Sequence, residues 1–388
     1  MPITNRIADY AADMKAWRQH LHQNPELGFD TVETAAFVAA RLREFGVDEL
    51  HEGIAKNGLV AIIRGQGDGP TIGLRADMDA LPIVEETGAA HASRTTGKMH
   101  ACGHDGHTTM LLGAARYLAE TRNFAGSVAL IFQPAEEDGG GGQVMVAEGI
   151  LERFNIAQVY ALHTVPGLPL GHFFTNPGAL MAADDTFHIT IKGRGAHAAY
   201  PEEGIDPIPV AMQMVGAIYN LRSRVLAGLD NTVISVTQVH AGSADNIIPD
   251  TAFVGGTFRT LSPETRRKLA EMLPELVANC AASFGATAEL AFIPGYPITY
   301  NNAEKTAFAV DIARRIAGHD NVDDAIPPEM GVEDFSYLLE QRPGAYLFLG
   351  QGDGPGLHHP KFDFNDEAAP IGASFFAQLV EAAQPAAR

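Results

Sequence analysis

Short, β-rich apolar runs that alternate with amphipathic helices constrain this 388-residue chain more than any other feature. The runs are LVAII at 59 to 63, TIGLRA at 71 to 76, SVALIF at 127 to 132 and VYAL at 159 to 162. Each is too short for a helix and apolar enough to be covered on both faces. Three- and four-residue spacing marks the helices. Ile3, Ile7, Tyr10, Met14, Trp17 and Leu21 form the first, which Asn24 and Pro25 end. The second opens at Asp30 with Glu33 in capping-box register, runs through Ala36, Ala39 and Leu42, and stops at Gly46. A third runs from about Gly106 to Glu120, with Asp105 as N-cap and Met110, Leu111, Ala114 and Leu118 facing inward. This alternation predicts an α/β fold on a mostly parallel sheet with helices on both faces.

The texture changes at about Asp184. TFHITIKG, TVISVTQV, TAFVGGTFRT and ATAELAFIP read as strands, with a helix from Pro207 to Leu221 after the first. A second helix, opened by Ser262 and Pro263, carries Leu269, Met272, Leu273, Leu276, Val277 and Cys280 on one face. The order β-α-β-β-α-β is the ferredoxin-like split motif. Pro274 should kink or divide the second helix, at about 3 kcal/mol. Beyond Tyr296 the α/β texture returns, with a helix from Ala303 to Ala317 ended by Gly318, another near Glu333, and the strand AYLFLG. One α/β domain, residues 1–183 and 297–388, is thus expected to be interrupted by an α+β insertion at 184–296. GGGG at 139 to 142 reads as a flexible loop.

Charge narrows the function. The 27 Lys and Arg face 47 Asp and Glu, a net −20 that repels nucleic acid and offers anionic membranes nothing. No run approaches the ~18 apolar residues of a membrane span, and MPITNRIADYAADMKAWRQH has no apolar signal core, so a cytoplasmic protein is expected. Two cysteines, Cys102 and Cys280, make no disulfide framework, and Cys280 falls on a core helix stripe.

GKMHACGHDGH places His100, Cys102, His104 and His107 within eight residues. In an extended segment Cys102 and His104 point the same way, so a thiolate and an imidazole can converge on one cation. Further acids and imidazoles follow strand ends: Asp77 and Asp79 after TIGLRA, Glu136 and Glu137 after SVALIF, His163 after VYAL, and His358 and His359 after AYLFLG. Open α/β sheets build their sites in that crevice. Adjacent Glu136 and Glu137 should face opposite ways, one toward a metal and the other toward a water, as a general base requires. His20 and His22, near the end of the first helix, read as structural or surface residues. His100 and His107 read as hydrogen-bonding neighbours of the ligands.

GKMHACGHDGH, LRADMDALPIVEETG, IFQPAEE, GRGAHAAYP, NIIPD with FRT, and GVEDFS followed by LHHP together resemble the hippurate hydrolase and aminoacylase-like amidohydrolases, a branch of the dinuclear metallopeptidases. The likeness runs from RQHLHQNPELGF to LHHPKFDFND. It implies a zinc-peptidase-like catalytic domain and an inserted lid and dimerisation domain. It also implies two divalent ions, zinc or manganese before cobalt or nickel, with Cys102 bridging, His104 and His163 completing one site, and Glu137 and His358 the other. His358 is preferred to His359 because it takes the His position in the family's His-X-Pro pattern. Glu136 would be the general base, and Asp77 and Asp79 would support the ligands. His197 would polarise the scissile carbonyl from the neighbouring subunit of a homodimer, and Asn246 and Arg259, side by side, would receive the substrate carboxylate. Where relatives carry Asn-Trp after the His163 position this chain has Thr164 and Val165, which points to a different pocket wall. The expected activity is hydrolysis of N-acyl-amino acids. The alternatives are a cysteine-nucleophile amidase using Cys102, a broader amidase or dipeptidase on the same metals, and a binding protein that keeps the fold without turnover.

Overall fold

The structure, a computed structural model, describes residues 3–226 and 231–386. It divides into two compact units. The first holds the residues up to Gly178, Tyr300–Pro327 and those from Asp334 onward; the second holds Ala179–Thr299 and Pro328–Glu333. The second is therefore wider than 184–296, and it includes a short segment far along the chain.

An eight-stranded sheet forms the first unit. In spatial order its strands are Glu49–Ile54, Gly58–Arg64, Ser127–Gln133, Thr71–Asp77, Ile156–Val165, Gly344–Gly350, Phe173–Phe174 and Val322–Asp323. The central four are parallel, while Gly58–Arg64 and Glu49–Ile54 add antiparallel pairs at one edge. Every residue of Thr71–Asp77 and of Gly344–Gly350 is buried. That is why these strands read as runs rather than as alternations. Helices Ala11–Gln23, Val32–Phe45, His104–Thr121, Ala303–Ala317 and Ala368–Ala383 contribute to one apolar core with the sheet.

Four details differ from the sequence reading. The second helix begins at Val32 after Thr31, which makes no side-chain cap; the Glu26 carboxylate accepts from the amides of Glu33 and Thr34 instead. The third begins at His104, so Asp105 lies in its first turn rather than at its N-cap, and its carboxylate faces His22. Helix Pro263–Ala282 passes through Pro274 without dividing. GGGG is not simply a loop: Gly139 and Gly140 take φ of +115° and +63°, and Gly141 and Gly142 open the buried end of helix Gly141–Ala147. A Cβ on Gly141 would stand 1.7 Å from the Pro134 carbonyl oxygen, so only glycine fits.

In the second unit a four-stranded antiparallel sheet runs Thr232–Ala241, Thr251–Thr260, Ala183–Lys192, Thr287–Pro294, with helices Pro207–Asn220 and Pro263–Ala282 packed on it. This is the strand order of the split β-α-β-β-α-β motif. No helix among the described residues is long and apolar enough to cross a membrane.

Candidate active site

The C-terminal ends of the parallel strands of the first unit carry the chemistry. Asp77 ends its strand and Asp79 follows it; Glu136 and Glu137 come just after Gln133, and His163 lies near the end of Ile156–Val165. Cys102 and His104 enter at the start of helix His104–Thr121, where Gly103 holds φ +92°. A Cβ on Gly103 would come within 3.0 Å of Thr164 Oγ1, so glycine permits this close approach.

Two sets of ligand atoms share one sulfur. Cys102, His104 and His163 bring donor atoms within 4.8 Å of one another, and so do Cys102, Glu137 and His358. Cys102 Sγ lies 3.4 Å from His163 Nε2, and His358 Nε2 lies 3.3 Å from Glu137 Oε1. His104 Nε2 stands 3.8 Å from Glu137 Oε1 and 3.9 Å from Glu136 Oε2. His359 is not among them; its Nδ1 accepts from the Lys361 amide. Two loops that carry candidate ligands pass through left-handed backbone at non-glycine residues, Ala135 at φ +55° and His358 at φ +61°. Such conformations cost about 1–3 kcal/mol each and cluster where function fixes geometry.

Neighbouring groups fix the tautomers. His163 Nδ1 donates to the Thr164 carbonyl at 2.8 Å, which leaves Nε2 as a lone pair facing Cys102. His107 Nε2 accepts from the Thr164 amide at 3.0 Å, so its Nδ1 carries the proton that goes to Asp77 Oδ1 at 2.7 Å. Both ring nitrogens of His107 are thus engaged, although with Asp77 and His104 it also forms a group of donor atoms within 4.8 Å of one another. Thr164 faces His107 Nε2 with its hydroxyl at 3.0 Å. Asp79 takes the Glu136 and Glu137 amides on its two oxygens, at 3.0 and 3.1 Å, and faces His104 Nδ1 at 3.4 Å. One carboxylate therefore sets the turn that aims both glutamates.

Electrostatically the pocket is short of positive charge. Burial, then Glu137 and Glu136, push the Cys102 thiol well up, the opposite of what a nucleophilic cysteine needs. Burial alone would lower His104, yet Asp77, Asp79 and Glu137 raise it to about 10. Neither ring nitrogen of His104 nor Oε1 of Glu137, all buried, makes a well-formed hydrogen bond, although Asp79 and His358 lie within 3.4 Å. Buried polar atoms are rarely left so, and soft and hard donors converging on one space suit a divalent cation.

Beneath this layer lies Arg75, 1% exposed in the middle of its strand. It donates to Asp77 Oδ2 at 2.7 Å, Asp334 Oδ1 at 2.8 Å and Gln133 Oε1 at 2.9 Å. Burial raises the Asp77 carboxyl, but His104, His107 and Arg75 hold it well below the usual range. The sequence reading missed Arg75, Gln133 and Asp334. A charged residue inside the apolar run TIGLRA was the available signal, since a buried arginine requires buried partners. His22, read as structural or surface, is fully buried against Asp105, and His100 is buried with neither ring nitrogen hydrogen-bonded.

His197, Asn246 and Arg259 belong to the second unit. His197 pairs with Ile247, and the Asn246 carbonyl accepts from the Ala198 amide at 3.0 Å, so His197 and Asn246 are neighbours. His197 Nδ1 accepts from the Ala199 amide, which leaves the proton on Nε2. Asn246 precedes strand Thr251–Thr260, whereas Arg259 lies near its far end, 4.0 Å from Asp184. Eight residues of strand span about 26 Å. Asn246 and Arg259 of one chain therefore do not stand side by side, contrary to the sequence reading.

The family model "Peptidase family M20/M25/M40" matches residues 73–382. A hippurate hydrolase of Campylobacter jejuni is 38% identical over 379 residues, 98% of each chain. An N-acetylcysteine deacetylase of Bacillus subtilis is 38% identical over 363 residues, 93% of this chain and 94% of its own. The crystal structure of a Bacillus subtilis protein described as a dinuclear metal binding peptidase from the M20 family superposes with a TM-score of 0.86 at 34% identity, covering 97% of this chain and 99% of that one.

Proposed function

Because the chain belongs to peptidase family M20/M25/M40, we propose that it is a metal-dependent amidohydrolase that cleaves N-acyl-amino acids to a carboxylic acid and a free amino acid. The observation that carries this reading is the pair of ligand sets sharing Cys102, with Glu136 beside them. The relatives named hippurate hydrolase and N-acetylcysteine deacetylase support the substrate class.

Two divalent cations, zinc or manganese in the first instance, would be held by Cys102, His104 and His163 and by Cys102, Glu137 and His358, and would supply Lewis acidity toward the amide carbonyl and a more acidic attacking water. The chain's own residues do the rest. Glu136, aimed by Asp79, takes the proton of the attacking water and returns it to the leaving amine nitrogen as the C–N bond breaks. Asp77, with Arg75 beneath it, keeps His107 oriented, and Asp79 faces His104. His197, with its proton on Nε2, donates to the carbonyl oxygen, and Arg259 receives the substrate carboxylate in a fork that lysine cannot reproduce. In this reading the protein is a homodimer in which His197 acts on the partner subunit's substrate. A cytoplasmic setting goes with this reading.

The test is hydrolysis of N-acetyl- and N-benzoyl-amino acids by protein stripped with chelator and then reloaded with zinc or manganese. Activity should vanish on stripping and return on loading. Full activity in stripped protein that Cys102→Ser abolishes would establish the cysteine-nucleophile alternative instead.

A further inference from the structure

Arg18 and His22 lie one turn apart on helix Ala11–Gln23, 1% and 0% exposed, and neither belongs to a ligand set. Their partners are carboxylates on the two segments that deliver ligands. Arg18 Nη1 stands 3.9 Å from Asp105 Oδ2, and His22 Nδ1 lies 2.8 Å from the same oxygen. Asp105 is the residue after His104, in the first turn of its helix. On the other side Arg18 donates to Asp363 Oδ1 at 2.9 Å and to Asp366 Oδ1 at 2.7 Å. Those two acids follow His358 in the loop between Gly350 and Ala368, and His91 Nε2 holds both Asp363 oxygens at 3.0 Å. Glu85, 3.4 Å from His22 Nε2, completes the cluster.

Stability alone is a poor account of this arrangement. A buried guanidinium and imidazole shared among carboxylates gain little over an apolar core, because desolvation offsets the attraction. The cluster does, however, tie two segments distant in sequence to one helix. His358 needs such help. It holds φ +61°, its ring is half exposed, and its own backbone tie is a single bond from its amide to the Ala101 carbonyl at 2.8 Å.

We propose that Arg18 is a positioning residue for both cation subsites, setting His104 through Asp105 together with His22, and setting His358 through Asp363 and Asp366. This rests on the two-cation reading above. Arg18 touches neither substrate nor ligand; it acts through the two segments.

The experiment titrates zinc into chelator-stripped full-length protein, with a competing chelator resolving the two affinities. Wild type should take two ions. Asp363→Asn/Asp366→Asn, changed at partly exposed positions, should weaken one ion by about 10- to 100-fold, the usual scale for partners of ligands, and leave the other unchanged. In a Glu137→Gln background, where the His358 subsite is already lost, the same pair should have no further effect. Asp105→Asn should weaken the other ion alone, and Arg18→Lys, which keeps the charge but loses the fork, should weaken both. Wild-type affinities in every variant would overturn the proposal. So would an equal fall in both affinities in every variant that tracks the melting point of the stripped protein, since that is what a merely structural cluster would give. A wild type that takes fewer than two ions would sink the two-cation reading itself, and the proposal with it.

Discussion

Replacing Arg75 by methionine tests the physical account of the layer under the site. The methionine fills the stem's volume but leaves Asp77 and Asp334, both buried, without the cation that bridges them. Removing one partner of a buried ion pair costs about 3–5 kcal/mol. Other donors remain: Asp77 keeps His107, and Asp334 keeps the Gln133 amide at 2.8 Å and the Gly142 amide at 2.8 Å. The loss should therefore fall at the lower end, about 3 kcal/mol. Trp17 is the chain's one tryptophan and is buried in the first unit, so its fluorescence during urea unfolding of stripped protein reports on that unit. Adding Asp334→Asn removes one of the stranded charges, so the double variant should lose less than the sum of the single losses, by about 1–3 kcal/mol. A loss below about 1 kcal/mol for Arg75→Met, or strict additivity, would refute the reasoning.

Further predictions concern charge and assembly. Burial alone would lower the His22 imidazole, but its bonds to Asp105 and Glu85 raise it from 6.5 to about 9. Its stabilisation is thus fully present below pH 6.5 and is lost as pH rises through about 9. Stripped wild type should accordingly become easier to unfold across that window, and His22→Gln less so, retaining the loss that His104, raised to about 10, contributes to both proteins; parallel pH profiles would contradict this. Arg259→Lys should lower kcat/KM on N-acyl-amino acids by about 10-fold or more, the scale of one charged hydrogen bond, while the corresponding amino-acid amides stay slow and unchanged. Equal kcat/KM on acids and amides in wild type would remove Arg259 from the site. Mixing inactive His197→Ala with inactive Glu136→Gln chains should restore part of the activity in hybrid dimers, and no recovery after verified subunit exchange would exclude action across the interface.

Much of the site was legible because its parts sit where strand ends must deliver them. SVALIF and AYLFLG became buried strands, and their sequels carry Glu136, Glu137 and His358. The dense GKMHACGHDGH segment delivered Cys102 and His104 to one pocket. What escaped was pairing between distant segments. Asp105 looked like a helix cap because its type and position fit one, yet the buried His22 claimed its carboxylate. Arg75, Gln133 and Asp334 meet only once three separate stretches are folded, and no local pattern announces such a triad. The spacing of Asn246 and Arg259 could likewise be judged only from the register of Thr251–Thr260.

The central claim is the division of labour between two adjacent carboxylates, with Glu137 holding a cation and Glu136 moving a proton. Metal content and turnover of Glu136→Gln and Glu137→Gln, measured side by side on N-benzoyl-amino acids, test it most directly. The account predicts that Glu136→Gln keeps both ions and loses about 10²- to 10⁴-fold in kcat, since an amide cannot accept the proton, while Glu137→Gln loses an ion. Loss of an ion from Glu136→Gln with both retained in Glu137→Gln would reverse the assignment and contradict the account.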